Sequence, residues 1–308
     1  FERLLETYHA FVPRGFKSFA LSMPVWIKDK LFMRGNIWKG LEKVNGGKLS
    51  SRPPLLFPEH HLSHAASAFY LSPYAKAAIL TVDGVGEWAT TTISLGEGKD
   101  ITLLKEIRFP HSIGLLYSAF TYYCGFKVNS GEYKLMGLAP YGIKGSERVK
   151  LFKSKIEAEL VSIKEDGSLA LNMDYFLFAT SDRTCNDEKW QSLFGIPPRP
   201  AESLLTEEYC DMALAIQEVT EEVMVRLAKT AKALTGAEYL VMAGGVALNC
   251  VANERVREAG IFKDVWVQPA SGDAGGALGA ALVGYYIWAG KDRIIGKGDS
   301  MQGSYLGP

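Results

Sequence analysis

The sequence predicts an α/β fold, and three patterns carry that prediction. Three strand-like runs at residues 77–82, 88–95 and 101–109 follow one another across glycine turns, Gly84-Val85-Gly86 and Gly96-Glu97-Gly98, which makes a meander of antiparallel hairpins. A long amphipathic helix follows later in the chain. Strands at 239–243 and 265–268 then each run through a glycine-rich loop into a helix, so the chain closes as β-α-β-α.

Taken in order, residues 1–50 read as helices broken by Pro13-Arg14-Gly15 and Gly46-Gly47, and Ser51-Arg52-Pro53-Pro54 is a rigid break. Leu55-Leu56-Phe57 reads as a short strand. A helix runs from about His60 to Tyr70 and is stopped by Ser72-Pro73. After the meander, an apolar and aromatic helix at 112–123 is capped by Ser112 and closed by Gly125. Residues 145–205 read as an inserted, mostly helical lobe. Thr206 caps the long helix, with Glu207 and Glu208 in its first turn. Its stripe of Met212, Ile216, Val219, Val223, Leu227 and Leu234 faces a core and ends at Gly236. The loop Gly244-Gly245-Val246-Ala247-Leu248-Asn249 opens a helix ending near Gly260, and Ser271-Gly272-Asp273-Ala274-Gly275-Gly276 opens a last one ending at Ala289.

This order matches one lobe of the actin-like (ASKHA) ATPase-type fold shared by sugar kinases and Hsp70, in which two lobes clamp a nucleotide. On that frame residues 1–76 are the remainder of a first lobe, ending in the histidine helix. Residues 77–300 are a complete second lobe, and 301–308 begin a linker to a further C-terminal domain. With a helix already under way at Phe1 and no initiator methionine, the chain is expected to be a piece of something longer.

At 308 residues, 47% hydrophobic and 22% charged, the composition is that of an ordinary globular protein. Lysine plus arginine equals aspartate plus glutamate at 34 each, so no global field points to nucleic acid or membrane. Locally, Arg14, Lys17, Lys28, Lys30, Arg34, Lys39, Lys43, Lys48 and Arg52 make residues 14–52 basic. This reads as a solvated helical face, with phosphate or nucleic-acid contact as the alternative. Four scattered cysteines without a C-x-x-C pair or a secretory leader read as reduced thiols in the cytoplasm. The longest apolar segment, 274–289, is too short and too rich in glycine for a membrane span.

The chemistry concentrates at Glu59-His60-His61-Leu62-Ser63-His64, which holds three of the five histidines. His60 and His64, spaced i, i+4, project from one helix face about 5.4 Å apart and form a two-nitrogen grip on a metal ion. Asp83 and Asp273, at strand ends beside glycines, offer oxygen. Two imidazoles with carboxylates suit Fe(II), zinc or manganese rather than copper. His61 lies about 100° around the helix and points elsewhere. The two loops after the late strands leave backbone N–H groups to face a phosphate or ribose, though tight βα turns need glycine in any case. A third glycine-rich stretch, 131–142, carries Glu132 and Lys134 and reads equally as a ligand contact or a connector. No Ser-His-Asp or Cys-His spacing indicates a covalent nucleophile.

Together Glu59–Ala68 (EHHLSHAASA), Val82-Asp83-Gly84, Phe109–Tyr117 (FPHSIGLLY) and the three glycine loops resemble the NodU/CmcH-type O-carbamoyltransferases from end to end of the chain. The resemblance implies a Kae1-like domain of the actin-like superfamily, normally followed by a YrdC-like domain. The latter makes carbamoyl-adenylate from carbamoyl phosphate and ATP, and the Kae1-like domain moves the carbamoyl group to a hydroxyl of a small-molecule acceptor at an iron-type metal site. The family's metal ligands fall on His60, His64, Asp83 and Asp273. Its adenylate loop falls on Gly244, Gly245 and Asn249, and the Kae1 adenosine helix on Gly114 and Ser118, with Ser118 standing where Kae1 proteins have a ribose-binding aspartate; Lys134, Gly137 and Gly272, in the other two glycine loops, are the further nucleotide candidates. That serine favours the carbamoyltransferase branch over a Kae1-like tRNA threonylcarbamoyl-transfer protein, and the histidine pair argues against an actin-like nucleotide-binding protein without transfer activity. The general base is unassigned, with His111 a candidate. The expected partners are the acceptor and a YrdC-like domain, not a membrane or nucleic acid, with a homodimer left open. The chain alone is expected to bind metal without completing the overall reaction.

Overall fold

The computed structural model describes residues 2–296 and residue 301. The expected linker at 302–308 and the last residues of the expected second lobe, 297–300, lie outside the described residues. The chain forms two compact units, one of Phe1–Phe57 with Phe176–Arg183 and one of Pro58–Tyr175 with Thr184–Pro308.

In the smaller unit, α1 (Glu2–Phe11), α2 (Phe16–Val25) and α3 (Met33–Val44) bury none of their described residues. Every cation of the basic stretch is exposed, which agrees with a solvated face. Arg34 lies over the Phe57 ring and Arg52 over Trp38. The strand expected at Leu55-Leu56-Phe57 does not form. Pro53, Pro54 and Pro58 flank it, and proline supplies no N–H to a ladder.

The larger unit is built on one sheet. β1 (Lys76–Val82), β2 (Ala89–Glu97) and β3 (Asp100–Arg108) form the antiparallel meander; β6 (Tyr239–Ala243) and β7 (Asp264–Val267) join in parallel, in the order β3-β2-β1-β6-β7. β1 is central and covered on both faces, which explains its unbroken run Ala77-Ala78-Ile79-Leu80. Helix α4 (His60–Phe69) and helix α11 (Asp273–Leu282) cover one face, where Ala65, Ala68 and Phe69 pack with Ala77, Ile79, Val241 and Ala243. Helices α5 (Ile113–Tyr123) and α9 (Glu207–Thr235) belong to the other layer, with α9 against β1 and β2.

Between them lie α6 (Glu132–Leu138), α7 (Glu147–Lys155), a two-stranded hairpin of β4 (Val161–Ile163) and β5 (Leu169–Leu171), and α8 (Asp187–Phe194). Residues 145–205 therefore hold a hairpin as well as helices. Helix α10 (Cys250–Glu258) connects β6 to β7. Ser112 caps α5 as expected, its Oγ accepting from Leu115 N at 3.1 Å. Thr206 occupies the N-cap position of α9, but its hydroxyl donates to Glu208 and makes no bond to the backbone. In the α9 stripe Met212, Ile216, Val219, Val223 and Leu227 are buried, while Leu234, in the last turn, is 42% exposed.

Candidate metal centre

The site lies where α4, the end of β1 and the start of α11 meet. His60 Nε2 is 2.7 Å from Asp83 Oδ2 and 3.0 Å from His64 Nε2, and His64 Nε2 is 3.3 Å from the same carboxylate oxygen. Asp273 Oδ1 lies 3.6 Å from both imidazole nitrogens. One ligand atom from each of the four residues lies within 4.8 Å of the others, the one such cluster among the described residues. Metal–ligand bonds near 2.1 Å place the corners of a tetrahedron about 3.4 Å apart. The donor set and its spacing therefore fit a divalent ion. His64 is buried, and its Nδ1 has no hydrogen-bond partner, so Nε2 carries its only polar contacts.

The two oxygens of Asp83 have separate tasks. Oδ2 faces the histidines, while Oδ1 accepts from Gly84 N at 2.8 Å and from Gly245 N at 3.1 Å. Burial pushes the Asp83 carboxyl up, but the His60 and His64 hydrogen bonds outweigh it and hold the group well below the usual carboxylate range. The same hydrogen bond raises His60 above its ordinary value against the effect of burial.

These shifts fix a pH dependence. A raised His60 contributes stability below about pH 6.5, lost as pH rises through its folded value; a lowered Asp83 contributes above about pH 3.8, lost as pH falls through its folded value. The metal-free protein is therefore expected to gain most from this pair between those limits, which chelator-treated thermal unfolding against pH will show. A bound cation must displace the proton of His60, so apparent Co(II) affinity is expected to climb with pH through and beyond 6.5. A flat affinity profile from pH 5.5 to 8 is the contrary result.

His61 points away from the cluster. Its Nε2–H donates to Ala89 O at 2.9 Å, so Nδ1 accepts from the Thr81 hydroxyl at 2.7 Å, which is bonded in turn to Thr92. Burial pushes its pKa down to about 4, and the neutral ring pins α4 to β1 and β2.

The residues expected at a nucleotide are distributed around the centre. Gly244 has φ +96°, and a Cβ there would stand 2.2 Å from Val82 O. A Cβ on Gly245 would stand 2.8 Å from Asp83 Oδ1 and one on Gly114 2.5 Å from Asp83 O. These three glycines thus let the backbone close on the end of β1. The N–H groups of Gly244, Gly245, Ala247 and Asn249 are bonded within the protein. Asn249 is buried, caps α10 through Ala252 N and exchanges amide bonds with Gln217, which also accepts from Tyr117. Ser118 donates to Glu132 at 2.8 Å. Lys134 and Gly137 are exposed on α6, and Gly272 precedes Asp273 at the head of α11. His111 Nδ1 accepts from Leu171 N at 3.1 Å. In that tautomer its Nε2 carries the proton and no ring lone pair is free to act as a base.

Two residues at this site escaped sequence reasoning. Glu87 and Arg293 close the two ends of α4. Glu87 had a signal, an acid in the glycine loop directly after Asp83; Arg293 lies 224 residues from Phe69, whose carbonyl it bonds, and had none.

A mixed sheet with a two-histidine, two-aspartate cluster at the strand ends defines an α/β domain with a candidate metal site. Residues 1–282 match the family described as Carbamoyltransferase N-terminus, and the chain belongs to that family. It is 53% identical over 308 residues to the uncharacterized protein sll1178 of Synechocystis sp., covering 100% of this chain and 49% of that protein. To the nodulation protein NolNO of Sinorhizobium fredii it is 34% identical over 262 residues, 85% of this chain and 35% of the relative. The chain thus spans about half or less of the length of these curated relatives. Among solved structures, component A of Acidaminococcus fermentans (R)-2-hydroxyglutaryl-CoA dehydratase is similar at a TM-score of 0.41 and 19% identity, over 75% of this chain and 68% of that one. Among the described residues no helix is long and apolar enough to cross a membrane.

Proposed function

We propose that this chain is the transfer domain of an O-carbamoyltransferase, moving a carbamoyl group from carbamoyl-adenylate to a hydroxyl of a small molecule. The observation that carries the reading is the convergence of His60, His64, Asp83 and Asp273 in a member of a carbamoyltransferase family. The fold we assign is actin-like and Kae1-like, with α4 packed on the sheet of the larger unit and not, as expected from the sequence, in a first lobe of residues 1–76. A YrdC-like domain of the full-length chain makes the adenylate from carbamoyl phosphate and ATP.

In this reading His60, His64, Asp83 and Asp273 hold a divalent ion, Fe(II) foremost, which supplies Lewis-acid stabilisation of charge developing on the carbamoyl oxygen. The chain's own groups do the rest. Gly84 N and Gly245 N orient Asp83 by holding its Oδ1. An open cleft of about 480 Å³ between α9 and α10, with Leu214 and Val251 as apolar wall and Glu218, Glu254, Arg255 and Glu258 as charged lining, is where we place the adenylate's base and ribose. The acceptor oxygen forms a bond to the carbamoyl carbon while the carbon–oxygen bond to the adenylate breaks, releasing AMP and a proton.

The test is full-length protein with carbamoyl phosphate, ATP and a library of hydroxylated acceptors, read by mass spectrometry. The expected product carries one added carbamoyl group and forms with AMP, pyrophosphate and the inorganic phosphate released from carbamoyl phosphate. AMP formation that needs no carbamoyl phosphate, with no carbamoylated product, would overturn the reading.

A further inference from the structure

Helix α4 carries two of the four ligands, yet it brings no end groups of its own. It has no acid in its first turn and no base in its last, and Glu59 at the N-cap position makes no side-chain capping bond. The N-terminus is closed from elsewhere, and the C-terminus both by Ser72, whose hydroxyl donates to Phe69 O at 2.8 Å, and from elsewhere. Glu87, in the loop after β1, accepts from His60 N with its two oxygens at 3.0 and 3.2 Å. Arg293, beyond α11, donates Nη1 to Tyr74 O at 2.9 Å and Nη2 to Phe69 O and Ser72 O at 2.6 and 2.8 Å. Its guanidinium carbon stands 4.2 Å from the Phe69 ring centroid. An anion at the N-terminus and a cation at the C-terminus are the signs that the helix macrodipole favours.

We propose that Glu87 and Arg293 are a pair of positioning residues that clamp the metal helix at its two ends and thereby set the affinity and geometry of the metal site. The inference rests on the metal reading of the four-residue cluster. His60 is the first residue of α4, and its own N–H is the one Glu87 holds, so fraying of that turn releases His60 before His64. At the far end, Arg293 ties the last turn and the two carbonyls beyond it to one planar fork, which a point charge could not match. With both ends fixed, α4 cannot slide along α11, and His60 and His64 stay in register with Asp273.

The test is Co(II) titration of the purified protein, followed by visible absorption, with thermal unfolding in chelator as the structural control. Glu87→Ala and Arg293→Met are each expected to weaken Co(II) binding by roughly tenfold, the low end of the cost of losing a partner bonded to the ligating group itself. Glu87→Ala should also change the Co(II) spectrum, because His60 is the ligand released. Glu87→Gln keeps an acceptor for His60 N and should restore most of the affinity and the spectrum. Where Glu87→Ala proves unstable in chelator, Glu87→Asp, one methylene too short to reach His60 N well, gives the same comparison. Variants that lose thermal stability while keeping wild-type affinity and spectrum would overturn the clamp. Failure of the wild type to bind Co(II) would instead remove the metal reading, and the clamp with it.

Discussion

Asp83→Asn is expected to abolish stoichiometric divalent-metal binding while leaving the metal-free protein folded at pH 7, and Asp83→Ala to lose both the metal and much of the stability. The difference follows from the two faces of this carboxylate. Oδ2 meets His60 and His64 at 2.7 and 3.3 Å, and Oδ1 satisfies Gly84 N and Gly245 N. An asparagine can keep its oxygen toward the two backbone donors, but then turns an amide NH₂ toward the histidines and offers no ligand there. Loss of a direct ligand should exceed the roughly 100-fold upper cost of losing an outer partner. Alanine leaves both backbone donors unsatisfied, at about 1–3 kcal/mol each where buried, and deprives His60 of its carboxylate. A total on the order of 3 kcal/mol is expected, read by unfolding in chelator. Wild-type Co(II) affinity in Asp83→Asn would show that Asp83 is no ligand.

Of the four proposed ligands, His60, His64 and Asp83 were legible because local rules govern them, and Asp273 because it opens a helix from a glycine loop after a strand. An i, i+4 pair on a helix and a carboxylate at the end of an apolar strand need no tertiary knowledge beyond their own elements. The meander and the late β-α-β-α pattern were legible for the same reason, and so was the Ser112 cap. The glycine loops were found for a reason the structure redistributes. Glycine-rich strand ends suggested free N–H groups for a phosphate. In the fold, backbone of Val82 and Asp83 comes within 2.2–2.5 Å of a would-be Cβ on Gly244 and Gly114, and the Asp83 carboxylate within 2.8 Å of one on Gly245. A sequence shows that glycine is present but not which neighbour forbids a side chain. Glu87 and Arg293 were missed because a helix end capped from another element leaves no trace near the helix. The apparent strand at Leu55-Leu56-Phe57 failed because apolar content was weighed without the prolines that remove its donors.

The α4–α11 contact shows how much rests on such an approach, and a pair of substitutions one turn apart isolates it. A Cβ on Gly279 would stand 1.8 Å from Ser63 O and 3.1 Å from Ser67 N, so α11 touches the backbone of the metal helix directly. A Cβ on Gly276, in the same helix, meets nothing within 4 Å. Alanine gains up to about 1 kcal/mol over glycine in a helix interior, and at Gly276 nothing opposes that gain. Gly276→Ala is therefore expected to be neutral or stabilising. At Gly279 the clash falls on backbone, which cannot move aside as a side chain end does, and overpacking costs of about 3 kcal/mol or more are expected. The clash wins by about 2 kcal/mol, a fall in Tm of roughly 4–8 °C. Because α11 begins at Asp273 and α4 begins at His60, parting the two helices also parts the ligands. Gly279→Ala should thus weaken Co(II) binding as well as stability, while Gly276→Ala changes neither for the worse. Equal behaviour of the two variants would mean that the helices are not in contact at Ser63.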